Sequence, residues 1–159
     1  TPNKFVENLM EKMEIDRSIQ VSTPVLRCDR TNYQQFINDR KNDRVGATTA
    51  VFDNNSDALY FSKEIIPFFS KTALKDYNLI PIYHHVGVYA YRNDALSQYA
   101  NWEETALEKL EGLEQLRFLE NSIKVQCVLM EGNGSSLWEL NNPSDITIIE
   151  RILGELNVR

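Results

Sequence analysis

The stretch Ile80-Pro81-Ile82-Tyr83-His84-His85-Val86-Gly87-Val88-Tyr89-Ala90-Tyr91 decides how the rest of the chain is read. It is long, aromatic and β-branched, which predicts a buried strand. Gly87 lies inside it, and a glycine within a strand often marks the close approach of a ligand or of another backbone. His84 and His85 are the only histidines of the chain. Adjacent side chains on a strand point to opposite faces, so the two cannot chelate one metal together. His85 and Tyr89 fall on the same face, and a His/Tyr pair lining a polar pocket is geometrically possible there. A hydrogen-bonded structural histidine is the other reading, and the residues alone leave both open.

Upstream of that stretch, Gly46 to Phe52 (GATTAVF) and Ala58 to Phe61 (ALYF) are strand-like runs joined by Asp53-Asn54-Asn55-Ser56-Asp57. This predicts a β-hairpin with a polar turn. Ile19 to Leu26 alternates apolar with polar and reads as a strand, with Pro24 confining its far end to an edge or a bulge. Thr31 to Asn38 allows a short helix, followed by a charged loop to Arg44. At the start, Thr1-Pro2 precedes Phe5, Val6, Leu9, Met10 and Met13 at helical spacing, an amphipathic helix. Downstream, Asn93-Asp94 opens a helix through Trp102, and Thr105-Ala106-Leu107-Glu108 has the form of a capping box. That box opens a longer helix with Leu107, Leu110, Leu113, Leu116 and Leu119 at three-residue steps, a core or dimer helix. Ile123 to Met130 is a further strand, and Asn142-Pro143-Ser144-Asp145 starts a last helix reaching Asn157. Strands alternate with helices around one hairpin, which predicts an α/β sheet of mixed strand direction, with residues 1–159 as a single domain.

Composition narrows the function classes. The 159 residues suit one domain with its own core. Seventeen Lys and Arg against 23 Asp and Glu give a net charge of −6, which argues against a nucleic-acid or anionic-membrane partner. No apolar run approaches the roughly 20 residues needed to span a bilayer. Cys28 and Cys127 lie in strand-like segments and read as buried thiols of a reducing, cytoplasmic compartment. The chain opens on Thr1 rather than Met, so something upstream is expected. Glu103, Glu104, Glu108, Glu111 and Glu114 read as a solvated helix face. Gly132-Asn133-Gly134 lacks the third glycine and the lysine of phosphate-cradling loops and reads as a turn. No nucleophile and base pair is readable from spacing.

Four segments, taken in order, carry a resemblance. They are Ala58-Leu59-Tyr60-Phe61-Ser62-Lys63 with Ile66-Pro67, His85-Val86-Gly87-Val88-Tyr89-Ala90-Tyr91-Arg92, Leu107-Glu108 through Leu113-Glu114-Gln115-Leu116-Arg117, and Asn141-Asn142-Pro143-Ser144-Asp145. In order and spacing the chain resembles the C-terminal two-thirds of the 3-deoxy-manno-octulosonate (Kdo) cytidylyltransferase family, also called CMP-Kdo synthetase. The resemblance implies a mixed-sheet, Rossmann-like nucleotide-diphospho-sugar transferase fold, without the family's N-terminal nucleotide-binding part. It implies a homodimer and a Mg2+-dependent reaction of lipopolysaccharide or surface polysaccharide biosynthesis, in which the sugar's anomeric hydroxyl attacks the α-phosphorus of CTP and releases pyrophosphate. The partners so implied are CTP and a 3-deoxy-ulosonic acid.

Residue by residue, the resemblance places His85 and Tyr89 in the sugar-acid pocket and Glu114 and Gln115 in hydrogen bonds to the sugar. It makes residues 46–92 the hairpin and sugar-site strand, and 105–120 a dimer and sugar-site helix. Lys63, which the resemblance also places among the substrate-binding residues, stands where the family has an arginine, as does Ser70, while Thr49 replaces a lysine. Asn141 takes the place of the family's second metal-binding aspartate and is a weaker ligand for a hard cation. No catalytic or nucleotide-binding residue is assigned. These departures leave two alternatives: an inactive family member acting as a binding or assembly protein, or a cytidylyltransferase for a different ulosonic acid.

Overall fold

In the computed structural model, residues 2–70 and 80–130 are described, together with positions 146, 147, 149, 150 and 154. The elements are α1 (Asn3–Ile15), β1 (Val21–Arg27), α2 (Arg30–Lys41), β2 (Thr49–Phe52), β3 (Ala58–Ser62), β4 (Tyr83–His85), β5 (Ala90–Tyr91), α3 (Asn93–Asn101), α4 (Ala106–Glu111), α5 (Leu116–Glu120) and β6 (Val125–Met130). The five isolated positions beyond residue 145 are helical, in keeping with the last helix predicted there. Asn141 and the Gly132-Asn133-Gly134 turn lie outside the described residues.

All six strands belong to one sheet. β1 runs through its middle, parallel to β6 on one side and antiparallel to β4 and β5 on the other. β4 continues into β2, and β2 into β3, both antiparallel. The architecture is therefore the mixed α/β sheet expected from the alternation of strands and helices. The tip of the hairpin reaches β6, where the Cys127 N–H donates to the Ser56 carbonyl at 2.8 Å.

The stretch from Ile80 to Tyr91 is not one continuous strand. Between the Val25–His85 pair and the Ser22–Ala90 pair, β1 has two residues and the opposite chain has four. Val86 to Tyr89 therefore bulges out of the ladder. The Val88 N–H turns back onto the Val86 carbonyl at 2.7 Å, while the Val86 N–H still bonds the Pro24 carbonyl at 3.1 Å. Pro24, expected at an edge or a bulge, lies opposite this bulge, where its missing N–H interrupts no regular ladder.

The two faces of β1 build two cores. Val21 and Val25 join Val125, Cys127, Leu116 and Phe118 on the side covered by α3 and α5. On the other side Phe5 and Leu9 of α1 pack against Val86 and Met130. Only part of the apolar stripe of α1 is used, since Phe5, Leu9 and Met13 are buried while Val6 and Met10 are exposed. α2 extends three residues beyond the predicted Asn38, ending at Lys41. Its end is held by Asp39, which accepts from Arg44 at 2.9 Å and from Gln35 at 3.0 Å. Both cysteines are free and buried, and burial pushes each thiol up to about 12.

The leucine-rich helix is also interrupted. Gly112 adopts φ +61° and ends α4, so Leu113, Glu114 and Gln115 form a turn before α5 begins. A glycine tolerates this left-handed conformation, and it stops the helix. The leucines then separate, with Leu113 and Leu116 buried and Leu110 82% exposed. The acidic run is likewise not a solvated face throughout. Glu108 is buried and bonds the Arg117 guanidinium at 2.7 Å, with Arg117 lying over the Tyr99 ring at 4.2 Å. Glu111 accepts from the Ser62 hydroxyl at 2.7 Å and the Lys63 N–H at 2.9 Å. The bend at Gly112 turns these carboxylates inward toward partners on α5 and β3.

Candidate functional site

The bulge and the Gly112 turn face one another across a cavity of about 310 Å³ lined by Thr48, His85, Gly87, Tyr89, Gly112, Leu113, Glu114 and Gln115. Two interruptions of regular structure thus create the site. A continuous strand and a continuous helix would have packed side chains into this space.

His85 is held from several directions. Its N–H donates to the Thr48 carbonyl at 2.9 Å, and its Nε2 lies 3.0 Å from the Thr23 hydroxyl oxygen. Its ring meets Phe61 edge-on at 5.0 Å between centroids and lies 5.5 Å from Tyr89. His84 points to the other face and meets Phe36 of α2 at 5.5 Å, as the two-residue period of a strand requires. Tyr89 stacks on Tyr91 at 5.6 Å, and Tyr91 on Phe118 at 5.7 Å, so an aromatic column backs the cavity. Burial first, and then the neighbouring Tyr91 and the Glu114 carboxylate, push the Tyr89 phenol far above its ordinary value. It therefore stays a neutral hydroxyl at physiological pH, available to donate or to accept.

Gln115 is 2% exposed, and its side-chain nitrogen has no hydrogen-bond partner among the described residues. A buried amide donor left unmade costs about 1–3 kcal/mol, which a ligand oxygen in the cavity would recover. Lys63 does not line the cavity. Its ammonium lies against Gly112, with Nζ 2.7 Å from where a Gly112 side chain would begin. Gly87 opens the other wall, since a Cβ added there meets nothing within 4 Å among the described residues.

The structure therefore brings His85, Tyr89, Glu114 and Gln115 into one cavity and sets Lys63 against its edge. Thr49 is not part of it. It pairs with His84 across the β2–β4 ladder, so its side chain points away from His85, and its hydroxyl bonds the Glu64 carbonyl at 2.7 Å. Thr48, one residue earlier, is the lining residue that sequence reasoning missed. The two-residue period separates these neighbours once the register is known. Thr23 and Gly112 were also missed. Gly112 carried a signal as a glycine within a helical leucine pattern, whereas Thr23 had none. Among the described residues no three His, Cys, Asp or Glu side chains converge as a metal ligand set. The lining supplies hydroxyl, amide and imidazole groups, one carboxylate and an aromatic wall, a surface suited to binding a polyol.

A mixed sheet with helices on both faces and a polar cavity at its interrupted strand defines an open-sheet α/β protein. A solved structure described as CMP:2-keto-3-deoxy-manno-octonic acid synthetase complexed with CTP superposes with a TM-score of 0.72 at 24% identity, covering 98% of this chain and 57% of that one. A family model described as cytidylyltransferase matches residues 2–125, and the chain belongs to that family. The 3-deoxy-manno-octulosonate cytidylyltransferase of Maricaulis maris (strain MCS10) is 36% identical over 158 residues, 98% of this chain and 60% of that protein. The protein of the same name from Chlamydia felis (strain Fe/C-56) is 35% identical over 148 residues, 93% of this chain and 52% of the relative. The chain thus spans between half and two-thirds of the length of these relatives.

Proposed function

We propose that this chain carries the sugar side of a CMP-Kdo synthetase-type cytidylyltransferase, binding a 3-deoxy-ulosonic acid for transfer of CMP from CTP. The observation that carries this reading is the buried Gln115 side-chain nitrogen, which has no hydrogen-bond partner among the described residues and belongs to a residue lining the same cavity as His85, Tyr89 and Glu114. The amide would donate to a sugar oxygen. Glu114 would accept from sugar hydroxyls, and the neutral Tyr89 hydroxyl would serve either role. The Lys63 ammonium would favour the acid's carboxylate from beside Gly112.

A Mg2+ ion for the transfer would draw on residues other than a ready-made cluster in the described part of the chain. A homodimer is part of this reading, its contact made by the hairpin and the 105–120 segment, where Leu59 and Leu110 are exposed. A cytoplasmic location fits two free, buried thiols.

Titrating the protein with Kdo, followed by calorimetry or by the ring signals of His85, tests the proposal. Wild type is expected to bind, and His85→Ala and Gln115→Met are each expected to weaken binding about tenfold or more. Dissociation constants unchanged in both variants, or no binding by wild type, would overturn it.

A further inference from the structure

We infer that Thr23, on β1 outside the cavity lining, is the positioning residue that sets the His85 tautomer and the shape of the Val86–Tyr89 bulge. This rests on the reading of the cavity as a sugar site. Thr23 is wholly buried. Its hydroxyl oxygen lies 2.9 Å from the Val88 carbonyl, 3.3 Å from the Val86 carbonyl and 3.0 Å from His85 Nε2. The two carbonyl oxygens only accept, so the single hydroxyl proton goes to them, and the shorter contact makes Val88 the main acceptor. The hydroxyl lone pair is then what faces the imidazole. His85 Nε2 must carry a proton, and in the neutral ring Nδ1 is left as the acceptor.

The same atom holds the bulge. Val88 lies between Gly87 and Tyr89, two residues that line the cavity. Fixing its carbonyl to β1 fixes where Tyr89 re-enters the sheet and how it meets His85, 5.5 Å away. Thr23 thus ties ring orientation, proton position and cavity wall to one hydroxyl on β1, a strand paired on both sides. Valine has nearly the same shape but cannot make these bonds, and serine keeps the hydroxyl while losing a methyl.

The experiment uses the full chain with ring nitrogens labelled. In wild type, the neutral His85 ring is expected to show the Nε2–H tautomer by long-range nitrogen–proton correlation; an Nδ1–H ring would overturn the inference without any variant. Thr23→Val is expected to give a mixture of tautomers and about tenfold weaker Kdo binding, with Thr23→Ser restoring both. A Thr23→Val protein with wild-type His85 signals and affinity would also overturn it, and if that variant does not fold, wild type and Thr23→Ser still decide. The two readings fail separately. Unchanged affinity in both His85→Ala and Gln115→Met removes the sugar site, whereas weakened binding in His85→Ala with no change in Thr23→Val removes only the role of Thr23.

Discussion

A glycine inside a strand leaves room for a second backbone or for a ligand, and Gly87 excludes the first. Among the described residues, its two chain neighbours aside, no atom lies within 4 Å of a Cβ built there, and the position opens onto the cavity. Gly87→Ala is therefore expected to change the thermal midpoint by less than about 2 °C while weakening Kdo binding about tenfold, because the methyl takes ligand space. Thermal unfolding and a Kdo titration on the same preparation check this, and a large loss of stability with unchanged affinity would contradict it. Ser22 presents the opposite case. It is wholly buried, and its hydroxyl has no hydrogen-bond partner among the described residues. Ser22→Ala is expected to leave stability unchanged or to raise it by up to about 1 kcal/mol, since no bond is lost and the desolvation cost is relieved. Urea denaturation measures the difference.

At the scale of elements, α3, α4 and α5 are joined by one ion pair. Arg117 is 13% exposed and Glu108 8%, and the guanidinium also reaches the Trp102 carbonyl at 3.3 Å. Removing one member strands the other, so Arg117→Met is expected to cost about 3–5 kcal/mol in urea denaturation. The Arg117 hydrogen bonds, against the opposing effect of burial, hold the Glu108 carboxyl below the usual carboxylate range. A folded value below the unfolded one means that this contribution is fully present above the ordinary carboxylate range and is lost as pH falls through the lowered value. Glu108→Gln is expected to be less stable at neutral pH and to lose less stability on acidification. Denaturation midpoints over a pH series show this as a flatter acid limb.

These elements also show what the sequence could reveal and where it stopped. The opposite faces of His84 and His85, the hairpin, the mixed α/β sheet and the capping box followed from local period, element order and turn chemistry. The break in Ile80–Tyr91 did not, because apolar residues flank the bulge on both sides and composition cannot mark a change of register. The resemblance named four residues that share the cavity. Thr48 and Thr23 required the pairing of distant strands before their roles could be seen.

At the scale of the whole molecule, the cavity lining contributed by the described residues contains one carboxylate, Glu114, and neither Lys nor Arg. The chain as a whole carries a net charge of −6. A nucleoside triphosphate needs concentrated positive charge and backbone donors, and its phosphates would be repelled here unless metal or cationic side chains intervened. The polyol acid makes a lesser demand, since one carboxylate is served by a nearby ammonium and its hydroxyls by neutral groups. The relatives have substantial further length, this chain covering 60% and 52% of two of them. The 159-residue polypeptide is therefore expected to bind Kdo without binding CTP, and to release no pyrophosphate when given CTP, Mg2+ and Kdo together. A coupled pyrophosphate assay beside a Kdo titration separates the two halves of the expectation. Turnover above the uncatalysed rate would show that these residues hold the nucleotide as well, and would move the triphosphate site into this chain.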